Sequence, residues 1–206
     1  MSVGQVVEPV SKQTMLKEIG PRGSGIYTGQ LISSRLAFFI MRAIHGLQLN
    51  NPSDIDGNKF VTYSIDESIT IAGLSFTSLL NSMYSRLTNE YSSVTGIRLD
   101  VPLFPNPSFT IKSQATGQLH EVHTDGGDDD HGRGRIIHSS AICLNDDYEG
   151  GHTQFYLTGT MDKPNIDVDI KLKAGQALIF SADLNYHGIT EVTSGSRYSL
   201  IQFWRE

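Results

Sequence analysis

Cysteine is almost missing: Cys143 is the one thiol in 206 residues, so no disulfide can close within the chain. It sits between Ile142 and Leu144, with no neighbour in sequence that would activate it, and is expected to be an inert buried thiol. A basic stripe is missing too. Lys and Arg total 16 against 22 Asp and Glu, a formal net charge of −6, and the cations are scattered. This excludes the electrostatic footprint of a nucleic-acid binder and disfavours an anionic membrane surface. No long apolar run occurs. The longest, residues 36–44, is interrupted by Arg42 and falls far short of the roughly 20 residues that a membrane-spanning helix needs. Residues 1–25 lack the charged-then-apolar pattern of a secretory leader, and a cytoplasmic protein is expected. The length suits one domain with a sizeable core.

What is present divides in two. Residues 27–49 carry Leu31, Leu36, Phe39, Ile40, Ile44 and Leu47 in a pattern that predicts an amphipathic helix, closed by Asn50-Asn51-Pro52. Residues 75–94 repeat Leu79, Leu80, Met83, Leu87 and Tyr91 on one helical face, with Gly96 placed as a C-cap glycine. Beyond Pro102 the texture changes to short β-rich segments punctuated by Gly, Asp and Asn. Strands are predicted over 108–113, 118–123, 135–144, 153–157, 166–172, 177–180, 187–192 and 197–204. Short strands separated by turn signals predict a β-sandwich or jelly roll. The expected fold is mainly β: a double-stranded β-helix of cupin-like type with flanking helices. A single domain, 1–206, is expected, with residues 1–100 mostly helical support and 101–206 the β-helix core.

Chemistry concentrates in the second half. His123 and Asp125 end one predicted strand, and residues i and i+2 of a strand face the same way. An imidazole nitrogen and a carboxylate oxygen can therefore meet one ion. A third ligand must come from elsewhere, and His187, 62 residues after Asp125, is the best candidate. Two His and one carboxylate on one face of an octahedron leave three positions open, which suits non-heme iron(II) oxygenases. Alone, a His-x-Asp pair is weak evidence. Arg197 strengthens it. Thr193-Ser194-Gly195-Ser196 reads as a hairpin turn, so Arg197 is expected opposite His187 on the neighbouring strand. There a guanidinium can grip the far carboxylate of metal-chelated 2-oxoglutarate with two parallel hydrogen bonds.

These residues carry a resemblance. Gly117-Gln118-Leu119-His120-Glu121-Val122-His123-Thr124-Asp125, the strand 135–145, Tyr148-Glu149-Gly150-Gly151-His152-Thr153-Gln154-Phe155, Lys173-Ala174-Gly175-Gln176-Ala177-Leu178-Ile179-Phe180, His187-Gly188 and Gly195-Ser196-Arg197-Tyr198 occur in one order. That order resembles the prolyl 4-hydroxylase-like branch of the 2-oxoglutarate/iron(II) dioxygenases, over residues 108–204. The resemblance implies Fe(2+), 2-oxoglutarate and O2, with ascorbate as a candidate accessory. It implies His123, Asp125 and His187 as metal ligands and Arg197 as the co-substrate anchor. It further implies hydroxylation of an unactivated C–H bond as the keto acid becomes succinate and CO2; the presence of Asp125 favours hydroxylation over halogenation. His120 departs from the pattern, standing where the family commonly has Tyr, and Arg197 stands where prolyl hydroxylases often have Lys. The first hundred residues match none of the family's substrate-binding part, so a prolyl substrate is not implied.

The substrate is expected to be a small molecule or an amino-acid residue. The Gly- and Asp-rich stretch 126–135 is either a solvated loop or a lid that attracts a cationic substrate. His120 and His123 are three residues apart, on opposite faces of a regular strand; only a bulge would bring His120 to the site. His152 reads as a rim residue, His138 and His45 as non-catalytic, Tyr186 and Trp204 as core, and Asn185 as a neighbour that can contact substrate. The competing readings are a cupin-like metal-dependent isomerase, a non-catalytic binding module, or an interaction domain that has lost its chemistry. None of these needs Arg197.

Overall fold

The second helical pattern is realised as α2 (Phe76–Thr95), whose buried face holds Leu80, Met83, Leu87 and Tyr91. Gly96 ends it in the left-handed region at φ 74°, its N–H bonded to Ser92 O at 2.9 Å, the arrangement that a C-cap glycine permits. The first pattern is realised only in part. Helix α1 is Ser34–Gln48, and Ile26–Gln30 is a strand. Ser33 caps the helix, its Oγ accepting the Leu36 N–H at 3.2 Å, so residues 27–33 lie outside it. Leu31 is buried in the connection, its N–H bonded to Gly175 O. Phe39, counted on the apolar face, is 45% exposed. This computed structural model describes residues 14–48, 54–56, 60–63, 70–71, 73–102, 104, 108–127, 134–160 and 163–206. The Asn50-Asn51-Pro52 stop lies outside them. Among the described residues, no helix is long and apolar enough to cross a membrane.

In chain order the first strands are β1 (Lys17–Glu18), β2 (Ile26–Gln30), β3 (Asp54–Asp56), β4 (Phe60–Tyr63), β5 (Thr70–Ile71), β6 (Leu74–Ser75), β7 (Phe109–Ala115), β8 (His120–His123) and β9 (Ile136–Cys143). Then follow β10 (Glu149–Gly150), β11 (Thr153–Tyr156), β12 (Thr158–Thr160), β13 (Lys163–Asn165), β14 (Val168–Ile170), β15 (Gln176–Ser181), β16 (Tyr186–Ile189), β17 (Val192–Ser194) and β18 (Ser196–Arg205). An eight-stranded sheet runs β1-β2-β15-β9-β18-β7-β4-β3 and a four-stranded sheet runs β14-β11-β16-β8. The predicted strand 187–192 is two elements, β16 and β17. They part at Thr190, whose N–H turns to His152 O, and β17 pairs with β10. Strands β1 to β4 come from the first hundred residues, so that segment extends the large sheet at both ends as well as supplying helices.

The period-two alternation of strands sorts the interior into two cores. Ile142, Ala177, Ile179, Leu200 and Trp204 face the helices, meeting Ile40, Ile44, Leu80, Tyr84 and Leu87. Cys143, Leu178 and Phe180 face the other way and meet Phe155 and Val192 between the sheets. Each fully buried Leu or Ile contributes roughly 1.5–3 kcal/mol of transfer free energy. The result is a mostly antiparallel β structure, two sheets face to face with helices on the outer side of the larger: a double-stranded β-helix.

Candidate metal and co-substrate site

His123 ends β8, and His187 on β16 is its direct antiparallel partner. Asp125 follows two residues after His123. His123 Nε2 lies 3.2 Å from Asp125 Oδ1, and His187 Nε2 lies 3.5 Å from Asp125 Oδ2. One donor atom from each residue falls within 4.8 Å of the others. Both imidazoles are oriented by the same local device. His123 Nδ1 donates to Glu121 O at 2.7 Å and His187 Nδ1 donates to Asn185 O at 3.1 Å. Nδ1 therefore carries the proton, and each Nε2 turns a lone pair towards the carboxylate. Metal-ligating histidines are held in this way. Two imidazole lone pairs and a carboxylate converging on one point repel each other until a cation sits between them, so the donor set fits a divalent metal.

The electrostatics agree. Burial alone would raise the Asp125 carboxyl, but its neighbours His123 and His187, with a contribution from Ser139, hold it well below the usual carboxylate range. His187 is pushed below the usual imidazole value, first by burial; Asp125 opposes that shift and His123 adds to it. The His187 ring packs against Phe180 at 4.7 Å and Phe155 at 5.7 Å between centroids, which fixes it in the inter-sheet core. Asp125 and His187 are thus both biased towards the deprotonated form that binds metal.

His120 is placed by a bulge. On β16, His187 and Ile189 are two residues apart; on β8 their partners His123 and His120 are three apart, and the register shifts between them. The extra residue turns His120 onto the face of His123, with ring centroids 4.1 Å apart. It lines the same pocket but is outside the set of three converging ligand atoms. Burial, then His123, Lys112 and His187, lower its pKa to about 3 against an opposing pull from Asp125.

The expected hairpin between His187 and Arg197 is not formed. Thr193–Ser196 links β17 to β18, and β18 pairs with β7 and β9 in the large sheet, whereas His187 belongs to the small one. A strand's partners are fixed by long-range pairing, and β17 is taken by β10. Arg197 nonetheless lines the same pocket as the three ligands, from the opposite wall. It is 4% exposed. Its Nη1 donates to Gln114 Oε1 at 2.8 Å, and Gln114 is its cross-strand partner. Its Nε is buried without a hydrogen-bond partner, and no carboxylate among the described residues pairs with it. A buried guanidinium in this state fits an anion. Tyr148 stands beside it; burial first, then Cys143, raise the Tyr148 hydroxyl, and Arg197 lowers it in part.

The two glycines of the Glu149-Gly150-Gly151-His152-Thr153 turn are spatial necessities. Both have positive φ, 68° and 64°. A Cβ on Gly150 would lie 2.1 Å from Glu191 O. One on Gly151 would lie 3.0 Å from Tyr148 Cε2 and 3.2 Å from Arg197 Cδ. The turn therefore makes room for the arginine rather than contributing a ligand.

The pocket also contains Lys112, Gln114, Ser139 and Thr153, none of which sequence reasoning singled out. Gln114 and Lys112 were visible only as polar residues on one period-two face of β7, shared with Thr110. His152 pairs with Asp169 at 2.8 Å on the surface, and His45 meets the Tyr198 hydroxyl at 3.2 Å. His138 packs edge-on against Tyr91. Asn185 turns its amide to Ser181 O. Cys143 is buried and free, and Trp204 is core, whereas Tyr186 is 39% exposed. Residues 128–133 of the acidic stretch lie outside the described residues.

Residues 109–205, just under half of the chain, match the sequence model of the 2OG-Fe(II) oxygenase superfamily. No curated protein matches the chain by sequence. Among solved structures it is similar to a Pseudomonas putida prolyl-4-hydroxylase, at 17% identity and a TM-score of 0.65 over 89% of this chain and 94% of that one. It is also similar to a 2OG-Fe(II) oxygenase family oxidoreductase from Burkholderia pseudomallei, at 18% identity, TM-score 0.56, 89% and 85% covered. A viral collagen prolyl hydroxylase from Paramecium bursaria Chlorella virus-1, solved as a 2-oxoglutarate complex, aligns at 15% identity, TM-score 0.59, 89% and 96% covered. At these identities the structures speak for the fold, and the sequence match speaks for the chemistry. Over residues 109–205 the chain is similar to the 2OG-Fe(II) oxygenase superfamily, and it is an oxygenase whose cofactors are iron(II), 2-oxoglutarate and O2.

Proposed function

We propose that this chain hydroxylates an unactivated C–H bond of a small molecule or an amino-acid residue. In this reading His123, Asp125 and His187 hold the iron and Arg197 holds the distal carboxylate of 2-oxoglutarate. The observation that carries it is the buried Arg197, with an unpartnered Nε, in the pocket that also holds the converging His-Asp-His atoms. A cupin-like isomerase or a binding module would have no use for that guanidinium. Iron(II) with 2-oxoglutarate and O2 supplies an oxidant able to break such a bond, the keto acid leaving as succinate and CO2.

The residues of the chain do the rest. Glu121 O and Asn185 O each hold an Nδ1–H, so that the Nε2 atom of each neutral ring is the one turned towards the metal position. Leu178, Phe180, Ile201 and Phe203 wall the pocket with apolar surface and keep water from the reacting centre. Among the described lining residues the cations are Lys112 and Arg197, and the one carboxylate is the metal-facing Asp125. That wall offers a cationic substrate little, so a neutral or anionic one is favoured. The whole of 1–206 acts as one dioxygenase domain, since β2 and β4 complete the sheet that carries Arg197. A buried free thiol and no disulfide suit the cytoplasm.

The test is anaerobic addition of 2-oxoglutarate to the iron(II)-loaded protein. A weak visible charge-transfer band of a keto-acid chelate is expected. Folded, iron-loaded protein that gives no such band would reject the reading. Screening amino acids and small acids for stimulated succinate release then identifies the substrate class.

A further inference from the structure

Gln114 has one hydrogen-bonding group more than the fold uses. It is 3% exposed, sits on β7 opposite Arg197, and lines the metal pocket. Its orientation follows from chemistry. A guanidinium only donates, so the Gln114 atom 2.8 Å from Arg197 Nη1 must be the carbonyl Oε1. The amide NH2 then falls on the other side, and that Nε2 is buried with no partner. Arg197 Nε is in the same condition. Two adjacent residues on neighbouring strands thus each present a buried, unused N–H donor in one pocket, and they are locked to each other by a third bond. Buried donors without acceptors are destabilising. Two side by side describe an anion site built before its anion arrives.

We propose that Gln114 is a second co-substrate-binding residue, its Nε2 donating to the same carboxylate that Arg197 holds. This rests on the reading that Arg197 takes the distal carboxylate of 2-oxoglutarate. Gln114 acts twice. Its carbonyl occupies Nη1 and so aims the Nε side of the guanidinium at the ligand. Its amide then supplies a further hydrogen bond to a charged acceptor. The pair makes the pocket selective for keto acids with a charged tail, because a neutral tail leaves both donors unsatisfied.

The experiment is anaerobic calorimetric titration of the iron(II)-loaded full chain with 2-oxoglutarate and with 2-oxopentanoate, which has the same chain length and no distal carboxylate. The proteins are wild type, Gln114→Met, Gln114→Glu and Arg197→Met. Loss of one hydrogen bond to a charged group corresponds to about 10- to 100-fold in affinity. Gln114→Met is expected to weaken 2-oxoglutarate by that factor and to leave 2-oxopentanoate unchanged. Gln114→Glu places a carboxylate against Arg197. It is expected to hold or raise the melting temperature while abolishing the preference for 2-oxoglutarate, opposite signs that a merely structural role would not produce. Folded, iron-loaded Gln114 variants that keep wild-type affinity for 2-oxoglutarate overturn the proposal, as does Gln114→Met weakening both keto acids equally. If wild type fails to discriminate between the two acids, the assignment of Arg197 itself is what fails. Should Gln114→Met not fold, Gln114→Glu decides the matter alone.

Discussion

Replacing Arg197 by Met separates the two halves of the site. The stem is retained and the guanidinium removed. A guanidinium that holds a carboxylate through two charge-assisted bonds contributes about 1.5–3 kcal/mol each, roughly 3–6 kcal/mol together. That corresponds to about 10²- to 10⁴-fold weaker 2-oxoglutarate binding. Iron affinity without keto acid should not change, because the ligand atoms lie on the opposite sheet. Stability without ligand should change little. The variant removes a buried cation that no described carboxylate compensates, and this offsets the loss of the bond to Gln114. Thermal denaturation reads both effects. At a hundredfold excess over Kd a ligand stabilises by about 2.7 kcal/mol, or about 5–10 °C at 2–4 °C per kcal/mol for a chain of this size. At the same concentration the variant should show about 0.4 kcal/mol or less, a shift close to zero. A full ligand-induced shift in the variant, or iron lost in parallel with 2-oxoglutarate, would refute the reasoning.

Other perturbations address the remaining parts. His187→Ala should lose iron and succinate formation together, and should cost stability because the ring fills space between Phe155 and Phe180; iron content and coupled succinate assays check this, and retained turnover would place the third ligand elsewhere. Gly151→Ala imposes a left-handed backbone on a residue with a Cβ, about 1–2 kcal/mol, and presses on Arg197; KM for 2-oxoglutarate should rise while iron binding holds. Gly150→Ala meets backbone rather than a side chain and should lower the melting temperature more than Gly151→Ala; the reverse order would contradict the contacts. Burial lowers the His138 pKa, with Asp183 opposing, so as pH falls below about 6.5 the unfolded chain takes up a proton that the folded one refuses. Stability should therefore be flat above that pH and fall below it, and urea denaturation of His138→Asn at pH 7.5 and 5.5 should show a shallower loss than wild type.

The parts of the site legible in sequence are those that depend on local periodicity. His123 and Asp125 meet as their i, i+2 spacing led one to expect, although β8 ends at His123, and α2 with its Gly96 cap follows from helical spacing. What was not legible depends on which strands meet. The position of Arg197 was expected from a hairpin, yet the strand after the turn pairs with β7 and β9 and reaches the pocket from the other sheet. His120 was expected on the wrong face because Glu121 and Val122 carry no residue type that announces a bulge. Residues 27–30 of strand β2 were merged into the helix because Leu31, just beyond them, fits the helical spacing of Leu36, Ile40 and Ile44. Gln114 was passed over because a polar residue inside a strand has no meaning until its cross-strand partner is known.

That partnership explains why the site needs a sandwich. Sheets packed face to face stand about 10 Å apart. His123, His187 and Asp125 lie on or beside the small sheet and Arg197 lies on the large one. The gap between the His-Asp-His cluster and the guanidinium is therefore set by whatever keeps the sheets apart, not by a count of residues along a strand. Phe155 from the small sheet meets Phe180 from the large one at 5.0 Å between centroids, and both touch the His187 ring. The same aromatic pair thus fixes the inter-sheet distance and the orientation of a ligand. A keto diacid bridging the two walls is measured against a packed core, which does not stretch. On the proposed assignment, length selectivity would arise from aromatic packing and charge selectivity from Arg197, and the glycine pair makes the room in which that arginine stands between the walls.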